Sequence, residues 1–255
     1  MKQPKKHRTD VISGRNAVIE ALKSKQQIDV IYVQSSFTGG SMNQLIALAR
    51  EQRIVIKQVT AQKLDDLSEH INHQGVVAIT SVAEYVSLED ILKIAQEKQQ
   101  PPFLLICDEI EDPHNLGAII RTAEAVGVHG VVIPKRRSAS LTQIVYKTSA
   151  GAASVVPVCR VANLVQTIEK LKQQQIWIYT ADMDGTPWCQ MDYAGGVALI
   201  IGSEGKGVSR LVKEQSDFIV SLPMNGQINS LNASVAAGVL MYEISRQRLG
   251  ISLKR

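Results

Sequence analysis

The chain is 255 residues long, 45% hydrophobic and 20% charged, with a formal net charge of +4. It is long enough for one large domain or two modest ones with ample core, and its mild positive charge permits a polyanionic partner without requiring one. Aromatic residues make up only 4%, so a stacking platform for single-stranded RNA is disfavoured and any nucleic acid would be read through shape, phosphate and ribose.

From Ser13 onward, helix and strand signals alternate. GRNAVIEALKS has helical spacing, VIYVQ is short and β-branched, and NQLIALAREQ is helical again; IVIKQV and VVAITSV read as strands around AQKLDDLS. This predicts a small α/β domain over residues 1–82, with the basic residues 1–12 as a flexible tail. Ser87-Leu-Glu-Asp then opens a polar helix that Pro101 and Pro102 stop, and residues 83–102 are expected to link two domains.

Residues 103–255 are denser in apolar strands: FLLICD, GVVIP, SVVPVCRV, IWIYTAD, VALIIG and FIVSLPM. Helical patterns lie between or after them: LGAIIRTAEAVG, LTQIVYKTSAGA, NLVQTIEKLKQQQ, VSRLVKEQSD and LNASVAAGVLMYEISRQRL. Continuous rather than alternating apolar runs mean strands covered on both faces, which predicts an α/β domain with a parallel sheet. Ligands in such sheets sit at the carboxyl ends of the strands, so the glycine and polar residues there matter most.

The cysteines Cys107, Cys159 and Cys189 form no CxxC pair, so free thiols in a reducing compartment fit better than zinc or disulfides. No apolar stretch follows the basic N-terminus, and runs such as VALII are far too short to cross a bilayer. A cytoplasmic protein is expected.

Three loops carry candidate chemistry. In DEIEDPHNLGAIIRTAEAVG, Asn115 stands where a helix N-cap would be. Projected on a helix, Leu116, Ile119, Ile120, Ala123 and Val126 form the core face, and Arg121 falls opposite among Ala118, Thr122 and Ala125. A small-residue ring suits either a solvated arginine or a close polar contact. The acids Asp108, Glu109, Glu111 and Asp112 do not by themselves make a metal site, and none is expected. The second loop, IIGSEGKG, fails the dinucleotide fingerprint, and it fails the P-loop because Gly207 follows Lys206. Its glycines fit a tight turn or a close ligand, and Glu204 would repel phosphate. In the third, SLPMNGQINSLNASVAAGVLMYE, one of Asn229, Ser230 or Asn232 is expected to cap a helix that is apolar nearly all round to Glu243 and therefore buried. His114 has no nucleophile nearby in sequence, and His7 lies in the tail, so a hydrolase is disfavoured.

Taken together, N-L-G-A-I-I-R, I-I-G-S-E-G-K-G and L-P-M followed by S-L-N-A-S-V-A resemble the three motifs of the SpoU (TrmH-type) RNA ribose methyltransferases of the SPOUT superfamily, over Phe103 to the C-terminus. The first unit, opening SGRNAVIEAL, is similar to the L30e-like RNA-binding domain that precedes the catalytic domain in many members. The layout looks most like the subgroup that methylates a guanosine 2′-hydroxyl in 23S ribosomal RNA. The resemblance implies a C-terminal trefoil knot, S-adenosylmethionine held at Gly202, Leu222 and Leu231, and a homodimer in which Arg121 completes the partner's site. It further implies functional roles for Asn115, Arg121, Glu204, Asn232 and Ser234, and no metal. The basic groups Lys2, Lys5, Lys6, Arg8, Lys135–Arg137, Arg246 and Arg248 would meet RNA phosphates. A tRNA or drug-resistance rRNA substrate is the alternative, and a non-catalytic ribosome-assembly factor is the reading outside enzymes.

Overall fold

The computed structural model describes residues 10–24, 26–35, 40–81, 84–227 and 230–252. Within it the chain forms two compact units: residues up to Glu84 together with Ser140–Gln143, and Tyr85–Ala139 together with Ile144–Arg255. The tail residues Lys2, Lys5, Lys6, His7 and Arg8, and Asn229, lie outside the described residues.

The first unit is a four-stranded sheet in the order β1-β4-β2-β3, with β1 Val11–Ser13, β2 Ile28–Gln34, β3 Val55–Val59 and β4 Val76–Thr80. Strands β2 and β3 are parallel, and β4 runs antiparallel to β1 and β2. Side chains alternate across a strand, so each strand serves two cores. Ile31, Val33, Val76 and Ala78 pack with helices α1 (Arg15–Lys23) and α2 (Gly40–Glu51), while Val30, Val77 and Ile79 pack with Leu64 of α3 (Ala61–Leu67). The expected flexible tail of residues 1–12 is too long at its inner end. Val11 and Ile12 pair with Ile79 and Ala78, and Asp10 is buried. An edge strand of three residues is too short to show a period.

The expected linker of residues 83–102 is corrected too. Helix α4 (Leu88–Glu97) occupies it, opened by a reciprocal capping box between Ser87 and Asp90. Its Leu88, Ile91 and Ala95 are buried, the first two in the core of the second unit. Ile91 approaches Gly130 so closely that a Cβ there would lie 2.4 Å from Ile91 Cδ1. The helix reads as polar by composition, but its apolar residues fall at the i, i+3, i+7 spacing of a buried stripe.

The second unit contains a six-stranded, wholly parallel sheet in the order β10-β8-β9-β5-β6-β7. The strands are β5 (Phe103–Cys107), β6 (Gly130–Pro134), β7 (Val158–Val161), β8 (Ile176–Pro187), β9 (Gly196–Ile201) and β10 (Phe218–Ser221). Its helices include α5 (Pro113–Ala125), α6 (Gln143–Thr148), α7 (Leu164–Gln173), α8 (Arg210–Lys213) and α9 (Ala233–Arg248). Every residue of β5 and β9 is buried, which is why both read as unbroken apolar runs. From the neighbours β5 and β9 the chain departs in opposite directions, to β6 and to β10. Their carboxyl ends therefore flank a topological switch point, where open α/β sheets bind ligands.

Two further expectations change. Strand β8 runs past Asp182 to Pro187, and its pairing with β10 jumps from Ile219–Thr180 to Val220–Thr186, so residues 181–185 bulge out. Helix α9 is not buried all round. Ala233, Ala237, Leu240, Met241 and Ile244 face inward, while Val235, Val239 and Tyr242 are 51%, 39% and 57% exposed. Apolar periodicity cannot distinguish a core face from an open apolar face.

Candidate active site

The site forms where the loops after β5 and β9 meet the start of α9. The sequence Asp112-Pro113 fixes the start of α5: Asp112, not Asn115, is the N-cap and accepts the His114 N–H, with proline at the first helical position. That correction frees the amide of Asn115, which sits in the first turn. Its Nδ2 donates to Glu204 Oε1 at 2.9 Å, and its Oδ1 accepts from Asn232 Nδ2 at 2.9 Å. Asn232 Nδ2 also donates to Glu204 Oε1. Asn232 is the cap of α9: its Oδ1 accepts the N–H groups of Ser234 and Val235 and the Ser234 hydroxyl. Four of the five expected catalytic residues, Asn115, Glu204, Asn232 and Ser234, thus form one connected network.

The fifth, Arg121, stands apart. It is exposed on the outer side of α5 and makes no hydrogen bond or ion pair among the described residues. The projected core face of that helix is correct at Leu116, Ile119, Ile120 and Ala123, and Val126 is half-buried at the C-cap. Gly117 is required by packing, since a Cβ there would meet Thr148 Cβ at 2.7 Å.

The loop after β9 owes its glycines first to itself. Ser203 and Gly207 exchange backbone hydrogen bonds at 3.1 and 2.9 Å, and Gly205 and Gly207 hold φ of 80° and 67°. A Cβ on Gly202 would lie 2.1 Å from the Gly207 carbonyl carbon and 2.2 Å from the Val208 nitrogen. Asp108, buried at the end of β5, accepts the Ser209 N–H at 2.7 Å and ties this loop to the neighbouring strand. Sequence reading set Asp108 aside with the loop's other acids, and only the adjacency of β5 and β9 reveals its partner.

Two cavities meet at this loop. One, of about 460 Å³, is lined by Gly202, Leu222, Leu231 and Glu204, and by Asp182 and Met183 from the bulge in β8. The three positions expected to hold the methyl donor therefore share one cavity, with a wall from β8 that sequence reading missed because it ended that strand at Asp182. Its size is that of a small-molecule site. The other cavity, of about 260 Å³, is lined by Glu109, Glu111, Asp112, Asn115, Glu204 and Lys206. The site offers no thiol nucleophile from the strand ends: burial, with Asp108 adding to it, pushes Cys107 up to about 12, and burial beside Glu89 and Asp90 pushes Cys159 up to about 11. His114 is occupied locally by Asp112, at 3.1 Å.

Comparison with known proteins identifies the family. Residues 102–242 match the SpoU rRNA methylase family, and residues 11–86 match the RNA 2′-O ribose methyltransferase substrate-binding family. The Bacillus subtilis protein YacO, described as a TrmH family tRNA/rRNA methyltransferase, is 50% identical over 240 residues, covering 94% of this chain and 96% of its own. A Staphylococcus saprophyticus relative of the same description is 47% identical over 241 residues, covering 93% and 96%. Among solved structures, the SpoU methyltransferase AviRb from Streptomyces viridochromogenes, in complex with AdoMet, superposes with a TM-score of 0.59 at 23% identity, covering 94% of this chain and 90% of that one. The TrmH/SpoU tRNA modifying enzyme of A. aeolicus gives 0.55 at 28% identity, covering 64% and 84%. With one family model spanning more than half the chain and full-length relatives at about half identity, the protein belongs to the SpoU/TrmH family of RNA methyltransferases.

Proposed function

We propose that this protein transfers a methyl group from S-adenosylmethionine to a ribose 2′-hydroxyl of RNA, and that the substrate is a guanosine of 23S ribosomal RNA. The observation that carries the reading is the joining of Asn115, Glu204 and Asn232 beside a largely apolar cavity that Gly202, Leu222 and Leu231 line. The donor fits that cavity chemically: backbone and aliphatic groups suit its nucleoside, and AviRb holds AdoMet in its own structure. The substrate-binding match of residues 11–86 supports RNA recognition by the first unit. We further propose action in the cytoplasm and a knotted crossover of β9, β10 and α9, because β10 returns beside β8 before α9 packs back on α5.

S-adenosylmethionine supplies an electrophilic methyl carbon on a sulfonium. The remaining work is orientation and the proton. Glu204, clamped by two amides through Oε1, holds Asn115 and Asn232 in place, and the Asn232 cap fixes Ser234 at the start of α9. Placement of the hydroxyl in line with the methyl carbon is worth several powers of ten. A guanidinium offers five N–H donors and no acceptor, so Arg121 is not cast as the base. The role of Arg121 is to hold the phosphate beside the target and stabilise the developing alkoxide, while the hydroxyl proton passes to water as the oxygen takes up the methyl group. In a homodimer joined through the open stripe of Val235, Val239 and Tyr242, Arg121 would serve the partner's site, which accounts for its lack of a partner among the described residues of its own chain.

The test is a map of ribose methylation in RNA from cells with and without the gene. One 2′-O-methylguanosine of 23S rRNA should vanish. Loss of a tRNA site instead would move the substrate to tRNA, and loss of no site would overturn the reading.

A further inference from the structure

Lys206 belongs to the loop after β9, and the methyl-transfer reading gives it no part. It lies between Gly205 and Gly207 in a turn closed by the paired Ser203 and Gly207 bonds, so its backbone is fixed although its side chain is exposed. It borders both cavities, as do Ser203 and Glu204.

Most of the charges around it are otherwise engaged. In the larger cavity the other charged residues are Asp182, which pairs with Lys213 at 2.8 Å, and Glu204, whose Oε1 carries the two asparagine amides. In the smaller one, Glu109 is held by Arg137 at 2.7 Å and Asp112 by the start of α5, while the exposed Glu111 makes no hydrogen bond or ion pair with a described residue. Lys206 makes no hydrogen bond or ion pair with any of these carboxylates, nor with any other described residue. Among the described residues it is the only cation lining either cavity. An unpaired ammonium carried on a fixed turn at the junction of two cavities is placed to receive anionic oxygens from a ligand that enters either one.

We propose that Lys206 is an anion-binding group of the site, additional to the Arg121 that the methyl-transfer reading already employs. Its ligand is a carboxylate or phosphate oxygen, supplied by the methionine end of the donor or by the RNA backbone next to the target ribose. This rests on the methyl-transfer reading. Of the two anions, only the phosphate would bring a dependence on salt in RNA affinity.

The experiment compares wild type with Lys206→Met, which keeps length and loses charge, and Lys206→Arg, which keeps charge. Calorimetry with S-adenosylmethionine reads the donor arm, and KM for unmodified 23S rRNA at several salt concentrations reads the RNA arm. Lys206→Met should weaken one of them by about tenfold, the usual worth of a charge-assisted contact, with kcat nearly kept and with recovery in Lys206→Arg. A rise in donor Kd identifies the carboxylate; a rise in KM with a salt slope shallower by about one identifies a phosphate. If neither constant moves by more than about twofold, or if only kcat falls, the proposal is wrong. A wild-type protein that neither binds the donor nor methylates RNA would instead overturn the methyl-transfer reading beneath it.

Discussion

The two ends of the six-stranded sheet are both polar, and they differ in what is left over. At the amino end most strong groups are spent within the chain, although the buried Arg248 Nε has no hydrogen-bond partner among the described residues. His129 Nδ1 accepts the Phe103 N–H at 3.0 Å, and its Nε2 lies 3.1 Å from Gln100 Oε1, an arrangement that uses both nitrogens of the neutral ring. Arg248 donates to the carbonyls of Pro101, Pro102 and Gly195 and lies over the Phe103 ring, and burial lowers its pKa to about 10. At the carboxyl end, Asn115, Glu204 and Asn232 also satisfy one another, but Lys206 beside them and Arg121 on the departing helix have no partner among the described residues. One end is a closed seam. The other has charge in reserve, and that reserve is what separates a site from a scaffold.

The contrast can be broken at either end. The largest effect should come from Arg121→Ala: turnover falls by at least ~10²-fold while donor affinity and melting temperature stay put, because nothing in the fold leans on that guanidinium. Single-turnover kinetics beside calorimetry would show it, and unchanged turnover would remove Arg121 from the chemistry. Gly202→Ala should do the reverse in kind. Its methyl group collides with the Gly207–Val208 backbone, so thermal melting should report a loss of about 3 kcal/mol or more, with donor binding weakened at the same time.

A smaller effect belongs to the amino end. Burial, with help from Lys98 and Arg248, lowers His129 to about 4. A depressed folded-state value means that the unfolded chain binds the extra proton first. The contribution is complete above the unfolded value near 6.5 and is lost as pH falls toward 4, amounting to roughly 3 kcal/mol at most. Wild type should therefore lose stability across that window, and His129→Asn should flatten the loss. An equally steep acid slope in the variant would assign it to other groups.

Much of this was readable before any coordinates. Strands β5, β6 and β9 declare themselves because strands buried on both faces need unbroken apolar runs, and the core face of α5 follows from a period of 3.6. The site residues were found as separate loops, but their bonding was not. Asn115 and Glu204 are 89 residues apart, and only the adjacency of β5 and β9 makes them neighbours. The cap of α5 was misplaced although Asp112-Pro113 carried the signal, since a proline at the first helical position names the residue before it. The bulge in β8 and the open face of α9 were out of reach. Both depend on what lies alongside, which a period along one chain does not record.

The burial of α4 has a consequence for how the molecule can be divided. The two prolines after it look like the place where one module ends and another begins, yet Ile91 fills the space over Gly130 and Val86 bridges to Cys159. A chain started at Phe103 would leave that space open. A catalytic unit cut from this chain should therefore begin ahead of Val86, because the helix before the prolines packs into the core of the six-stranded sheet.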